Sequence, residues 1–395
     1  MQIFGIPIEF FLFGITLAGV GVFHHHALPI ALTGLGVILA YTAGFTPEGT
    51  AGLVSHFGHE WVLLANLMLL LTGFALLSNQ FETSQAPEVM PAFLPDNWFG
   101  GFVLLVMVFA LSIFLDNIAG AIIGGVVAKH VYEGRVSVGY VAAIVAASNA
   151  GGAGSVLGDT TTTMMWISGV SPVQVADAFL GAGVALLIFG LPAALQQQRF
   201  SPIERRAPSG VRVDRARLAI VGVILLTLVA TNIAVSAFFP HLEATVPALG
   251  LALWVALVAT ALVRRPDWGV LPAAALGATF LVALVAAASL MPVDRLPTPS
   301  WPSTLGIGFV AAVFDNIPLT ALALQQGGYD WGLLAYSVGI GGSMIWFGSS
   351  AGVAITSLFP EARSTGAWIR QGWAIPIAFV VGFFVTLAVF GWRPT

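Results

Sequence analysis

Long apolar runs alternate with short polar turns along the whole chain. They cover 3–23, 27–45, 61–78, 98–115, 119–132, 138–168 and 173–195, then 217–238, 245–263, 268–291, 303–325, 331–358 and 368–391. Most approach or exceed the roughly 17–25 residues that carry a helix across a hydrocarbon core about 30 Å thick. Four stretches stand out against this pattern. "FLDNIAGA" (Phe114–Ala121) and "VFDNIPLTA" (Val313–Ala321) each place an Asp-Asn pair inside apolar sequence. "SNAGGAGSVLGDTTTTMMW" (Ser148–Trp166) and "GGSMIWFGSSAG" (Gly341–Gly352) crowd glycine with Ser, Thr, Asn or Asp where a membrane helix would be apolar.

These stretches form two pairs. Setting Gly151-Gly152 on Gly341-Gly342 without a gap puts Gly158 on Gly348, Asp159 on Ser349 and Thr160 on Ser350. The order of spans repeats as well, which predicts an internal duplication: 1–195, an Arg-rich linker at 196–216, and 217–395. If each Asp-Asn segment is a re-entrant hairpin, each half crosses five times, and an odd number inverts the second half. The expected fold is therefore an all-α polytopic membrane protein. It is an inverted-topology repeat of two five-span halves, each with a re-entrant hairpin and a broken helix. Charge supports the count. With the linker in the cytoplasm, 12 of the 14 Lys and Arg residues fall inside and only Arg295 and Arg393 fall outside, as the positive-inside rule requires. Counting each hairpin as a crossing gives a weaker 10:4 split. Both termini then face outward, in a bacterial cytoplasmic (inner) membrane.

Composition agrees. Charged residues are 8% of the chain, against about 25% in soluble domains, and the mean hydropathy is +0.94. The first run lacks a basic n-region and reads as a span, not a signal peptide. There is no cysteine, hence no thiol chemistry. Basic residues are too few and too scattered for nucleic acid.

The chemistry lies in the breaks. Non-helical backbone at membrane depth survives only where protein or water satisfies its polar groups. A broken helix exposes N–H groups at one half and C=O groups at the other, each end carrying about half a charge. Gly151, Gly152, Gly158, Gly341, Gly342 and Gly348 are read as backbone breaks, whereas scattered glycines such as those in 181–190 read as close helix packing. Hydroxyls and carbonyls around Ser148, Asn149, Thr160, Thr161, Ser349 and Ser350 make a hard-oxygen cage for a small cation. Asp116-Asn117 and Asp315-Asn316 sit at hairpin tips, where capping of the next half-helix is the plain structural reading. Carboxylates at that depth are functional candidates by default. Asp116, Asp159 and Asp315 share the expected centre, and neighbouring carboxylates cannot all ionise cheaply. A cation held there would displace a proton. No catalytic residue and no resident cofactor is expected, only transported ions, with Na+ held through Asp116, Asp159 and Asp315.

Other residues read more simply. His24, His25 and His26 form a predicted cytoplasmic turn, with pH sensing as the sharper alternative. His56, His59 and Glu60 read as a helix-entry cluster. Asn66 and Asn232 should bond neighbouring helices. The linker reads as a topology anchor against lipid. Trp61, Trp98, Trp268, Trp301, Trp331, Trp368 and Trp392 fit an aromatic belt.

From about His59 onward, the four motifs resemble those of the NhaD-type sodium/proton antiporters of the ion-transporter superfamily. That resemblance implies export of sodium or lithium in exchange for protons, an inverted-repeat fold and a homodimer. It assigns ion-site roles to Asp116, Asn117, Ser148, Asn149, Asp159 and the adjoining threonines, and to Asp315, Asn316, Ser349 and Ser350. Dicarboxylate carriers of the superfamily carry Ser-Asn-Thr in both halves. Here Ser-Asn-Ala (148–150) and Val-Gly-Ile (338–340) stand instead, against a carboxylate substrate. Three other readings stay open: a small oxyanion or carboxylate transporter of the same fold, an intramembrane aspartyl protease, and a channel, against which the inverted duplication counts. The first would want an arginine in a span core, and none is there. The second would use Asp159 and Asp330, but Val156 takes its motif's first glycine position and Asp330 falls in a loop.

Overall fold

The computed structural model describes residues 2–3, 6–23, 26–46, 49–203, 212–239, 242 and 245–395. His24, His25 and linker residues 204–211 lie outside them. A two-residue pairing of β1 (Gln2–Ile3) with β2 (Ile6–Pro7) precedes the first helix. The first half then contains α1 (Ile8–Val22), α2 (Ala27–Phe45), α3 (Gly49–Glu82), α4 (Ala86–Val89), α5 (Trp98–Ser112), α6 (Asn117–Val131), α7 (Val138–Ala153), α8 (Thr160–Ile167), α9 (Pro172–Ala176) and α10 (Ala178–Phe200). The second contains α11 (Arg215–Phe238), α12 (Ala248–Thr260), α13 (Leu271–Ser289), α14 (Trp301–Ala311), α15 (Asn316–Gln326), α16 (Trp331–Gly341), α17 (Ser350–Ile355), α18 (Thr365–Gln371) and α19 (Ala374–Phe390).

Among the described residues, five helices are long and apolar enough to cross a membrane, or six if α18 and α19, bent by 59° at their junction, count as one span. Two sequence boundaries change. The run 61–78 belongs to α3, which holds 34 residues. At 1.5 Å per residue that is about 51 Å, well beyond the hydrocarbon core. Residues 49–60 contain no proline, and Ser55 and His59 lie exposed on the extension. His56 and Glu60 bond instead: His56 Nε2 pairs with Ser289 Oγ at 2.9 Å, and Gln325 Nε2 donates to Glu60 at 3.3 Å. The run 368–391 is not straight, because the chain turns at Gly372-Trp373 between α18 and α19.

Packing divides the chain into two units, and each draws on both halves of the sequence. The first contains α1, α2, nearly all of α3, α11, α12, α13 and the last turns of α15. Within it Asn66 Oδ1 accepts from Gly250 N at 2.9 Å, so this asparagine does tie two helices together. Gln80, 1% exposed, accepts from Arg217 and donates to Arg264 O at 3.1 Å.

The second unit runs through 81–214, 298–319 and 327–395. At its centre every residue of α7 and every residue of α16 is buried. Both helices are apolar over most of their surface, as full burial demands, with Ser148 and Asn149 of α7 and Ser337 of α16 as buried polar exceptions. Between such helices lipid exclusion contributes little, so cohesion comes from close approach of small residues. α7 is rich in Ala and Gly for that reason. α5 and α10 pack on α7, and α14 and α19 pack on α16. α6 packs against α17, and Gly125 faces Ile355 and Phe359 there.

Candidate functional site

All four exceptional stretches end one helix and begin another. The physical cause is the same in each: a short polar side chain gives its oxygen to the orphan N–H groups of the new helix. Asp116 Oδ2 accepts from Ile118 N at 3.2 Å, starting α6. Asp315 Oδ1 accepts from Ile317 N at 3.0 Å, starting α15. Asp159 Oδ1 accepts from Thr161 N at 3.2 Å, starting α8, and Ser349 Oγ accepts from Gly352 N at 3.3 Å, starting α17. Pro318 falls in the first turn of α15, where its missing N–H leaves nothing unpaired.

The glycines act through their missing side chains. None of Gly151, Gly152, Gly158, Gly341, Gly342 and Gly348 has a positive φ. Gly151, Gly152 and Gly341 lie in the last turns of α7 and α16, Gly342 caps α16, and Gly158 and Gly348 lie in the breaks. A Cβ on Gly152 would come 2.6 Å from Gly158 O, and one on Gly342 would come 2.7 Å from Gly348 O. A Cβ on Gly151 would meet Phe109 O of α5, and one on Gly341 would meet Gly308 O of α14. The same two approaches thus occur in each half.

A buried hydrogen-bond chain joins the halves. Ser112 Oγ and Ser148 Oγ share a bond of 2.7 Å, and Ser148 Oγ donates to Asn117 O at 2.5 Å. Asn117 Nδ2 donates to Asn149 Oδ1 at 3.1 Å. Asn149 Nδ2 donates to Ser343 Oγ at 2.9 Å and to Ser349 Oγ at 3.0 Å. Ser350 Oγ donates to Asp315 Oδ2 at 3.4 Å. Ser112 and Ser343 were not among the residues read from sequence. Their signal was faint: Ser112 lies four residues before Asp116, and Ser343 directly follows the second glycine pair.

Asp159 is 2% exposed. Its Oδ1 caps α8, but its Oδ2 is buried without a hydrogen-bond partner, as is Thr161 Oγ1. Thr162 and Thr163 are committed elsewhere, donating to Ser155 O at 2.6 Å and Val156 O at 2.9 Å. Thr160 is buried beside them. A buried carboxylate oxygen with no partner is costly and calls for a proton or a cation. Asp116, Asp159 and Asp315 each start a helix within the same unit. Among the described residues no three acidic or imidazole side chains close into one metal-ligand group. Asp330 has a structural post: it caps α16 through Leu333 N at 3.0 Å and accepts from Arg393 N at 2.9 Å. Asn316 and Asn117 are both buried. His26 is exposed at the start of α2.

Apolar helices around broken helices, with a buried carboxylate among hydroxyls at the breaks, define a polytopic membrane protein with an internal polar centre. No protein-family model matches the chain. It is 29% identical over 353 residues to Sodium/proton antiporter 1 of Arabidopsis thaliana, covering 78% of this chain and 57% of that protein. It is 28% identical to the Na(+)/H(+) antiporter NhaD of Alkalimonas amylolytica, over 85% of this chain and 79% of that one. The Na(+)/H(+) antiporter NhaD of Halomonas elongata is 24% identical over 84% of this chain and 77% of its own. The chain is thus similar to NhaD-type sodium/proton antiporters over most of its length.

Proposed function

We propose that this chain is a secondary transporter, not an enzyme, that exchanges Na+ or Li+ for H+ across a bacterial inner membrane by alternating access. One observation carries the reading: Asp159 Oδ2, deep inside the second unit and without a partner. In the proton-loaded form that oxygen carries the proton. A sodium ion entering from the cytoplasm replaces it, held by the Asp159 carboxylate, the Thr161 and Thr160 hydroxyls and carbonyls of the break. Asp116 and Asp315 add negative potential, so that cation and proton compete for one place. Asn149 keeps the two breaks in register through Ser343 and Ser349.

The repeat supplies the movement. Two halves of opposite orientation, 1–195 and 217–395 around the 196–216 linker, give a site between hairpins and broken helices that opens alternately to each side. The matched glycine approaches and matched caps support that reading. Both termini face outward, and the chain works as a homodimer in the lipid. The names of the relatives, sodium/proton antiporters in each case, agree with the cargo.

The test is a pH dye in proteoliposomes, with sodium, lithium, potassium or a dicarboxylate added in turn. Sodium and lithium should move protons. A response to the dicarboxylate in place of sodium would replace the cation reading with the carboxylate one.

A further inference from the structure

The second unit contains a cavity of about 610 Å³ that plays no part in the ion site. It opens between the turn before α7, the end of α10 and the turn joining α18 to α19. Arg135 and Arg370 both line it, beside Ser137 and Gln371. Neither arginine has a carboxylate partner among the described ion pairs. Arg135 Nη2 reaches only Phe200 O, at 3.5 Å. Glu361 is the one carboxylate in the lining, so the cavity carries two positive charges against one negative.

Two unpaired guanidinium groups, each a planar fork of donors, suit a tetrahedral oxyanion better than a carbonyl or a cation. The volume lies in the range of small-ligand sites, about 300–1,000 Å³. Phe200 and Trp373, 53% and 49% exposed, complete the lining. Aromatic side chains of this kind sit at headgroup level in a bilayer, and the charge count above puts Arg135 and Arg370 on the cytoplasmic side.

The walls are also tied to the transport helices. Gln371 Oε1 accepts from Gly139 N at 3.1 Å, in the first turn of α7. Gln197 Oε1 accepts from Ser137 N at 2.8 Å and its Nε2 donates to Arg135 O at 2.9 Å. The far end of α7 carries Ser148 and Asn149. We propose that this cavity binds a phosphate-bearing anion, supplied either by the headgroup of an anionic phospholipid or as free phosphate. The proposal does not depend on which ion the protein exchanges.

Trp373 is the reporter. Purified full-length protein, delipidated in neutral detergent, is titrated with brominated phosphatidylglycerol and, separately, with brominated phosphatidylcholine. The quenching due to Trp373 is the difference between wild type and Trp373→Phe. Each arginine near a membrane surface is worth about 1 kcal/mol toward an anionic lipid. Two should therefore favour the anionic lipid by about 2 kcal/mol, roughly 30-fold. Arg135→Gln/Arg370→Gln should erase that preference, and Arg363→Gln, outside the lining, should keep it. If inorganic phosphate alone relieves the quenching, or protects wild type but not the double variant against heat, the occupant is free phosphate. Equal quenching by both lipids in wild type, with no effect of phosphate, overturns the proposal. That result needs no variant beyond Trp373→Phe, so misfolding of the double variant cannot mask it.

Discussion

Asn149→Ala is the sharpest structural perturbation. The side chain is fully buried and makes three hydrogen bonds, at 3.1 Å from Asn117, 2.9 Å to Ser343 and 3.0 Å to Ser349. Side-chain hydrogen bonds inside membrane proteins average about 0.6 kcal/mol, so three contribute about 2 kcal/mol. Truncation also strands the Asn117 amide in a dry interior, adding about 1 kcal/mol. The total, about 3 kcal/mol, corresponds to about 100-fold in the population with both breaks in register. At roughly 2–4 °C per kcal/mol, melting in detergent should fall by about 6–12 °C. Sodium-driven proton movement in proteoliposomes, read with a pH dye at matched protein density, should drop by a similar factor of about 100. Ser343→Ala removes one of the three bonds and should cost about 1 kcal/mol or less. If Asn149→Ala melts with wild type and transports normally, the chain linking the two breaks does no work and the argument for Asn149 fails.

Other outcomes follow from the same geometry. Gly152→Ala and Gly342→Ala push a methyl group into backbone carbonyls 2.6 and 2.7 Å away and should each destabilise by about 1–3 kcal/mol. Gly183→Ala, with nothing within 4 Å of its Cβ, should be neutral or stabilise by up to about 1 kcal/mol; thermal melts of the three separate close approach from helix propensity. Gln80→Ala removes the acceptor of Arg217 and the donor to Arg264 O and should cost about 1–3 kcal/mol, seen as a lower melting temperature. The chain has no cysteine, so single substitutions report topology directly. Asp96→Cys, after the third span of the first half, should be labelled only from the cytoplasmic side and Asp294→Cys, at the equivalent point of the second half, only from outside; labelling of both from one side would break the inverted arrangement.

The placement of the breaks was legible because Asp-Asn and Gly-Gly inside apolar sequence have few structural uses. Capping was legible at the hairpin tips, where Asp116 and Asp315 hold the first turn of a helix; the same use of Asp159 and Ser349 was not read from sequence. The reason for the glycines was only half visible. Sequence marked them as breakers, but their backbone angles are ordinary and their use is approach to carbonyls. The extent of α3 was hidden because His56, His59 and Glu60 read as a helix-entry cluster, whereas they lie inside the helix, His56 and Glu60 bonded to Ser289 and Gln325, distant in sequence. Ser112 and Ser343 were missed because a lone serine in an apolar helix carries no period and no motif. The grouping of helices was hidden too, since α7 and α16, buried all round, have no polar face to mark a neighbour.

The central claim is that sodium and a proton compete at Asp159. It is tested by adding sodium chloride to purified protein in weakly buffered detergent solution and recording the pH. Wild type should release protons in proportion to the sodium bound, and Asp159→Asn should release none. Sodium binding without proton release, or the same release from Asp159→Asn, would contradict the account.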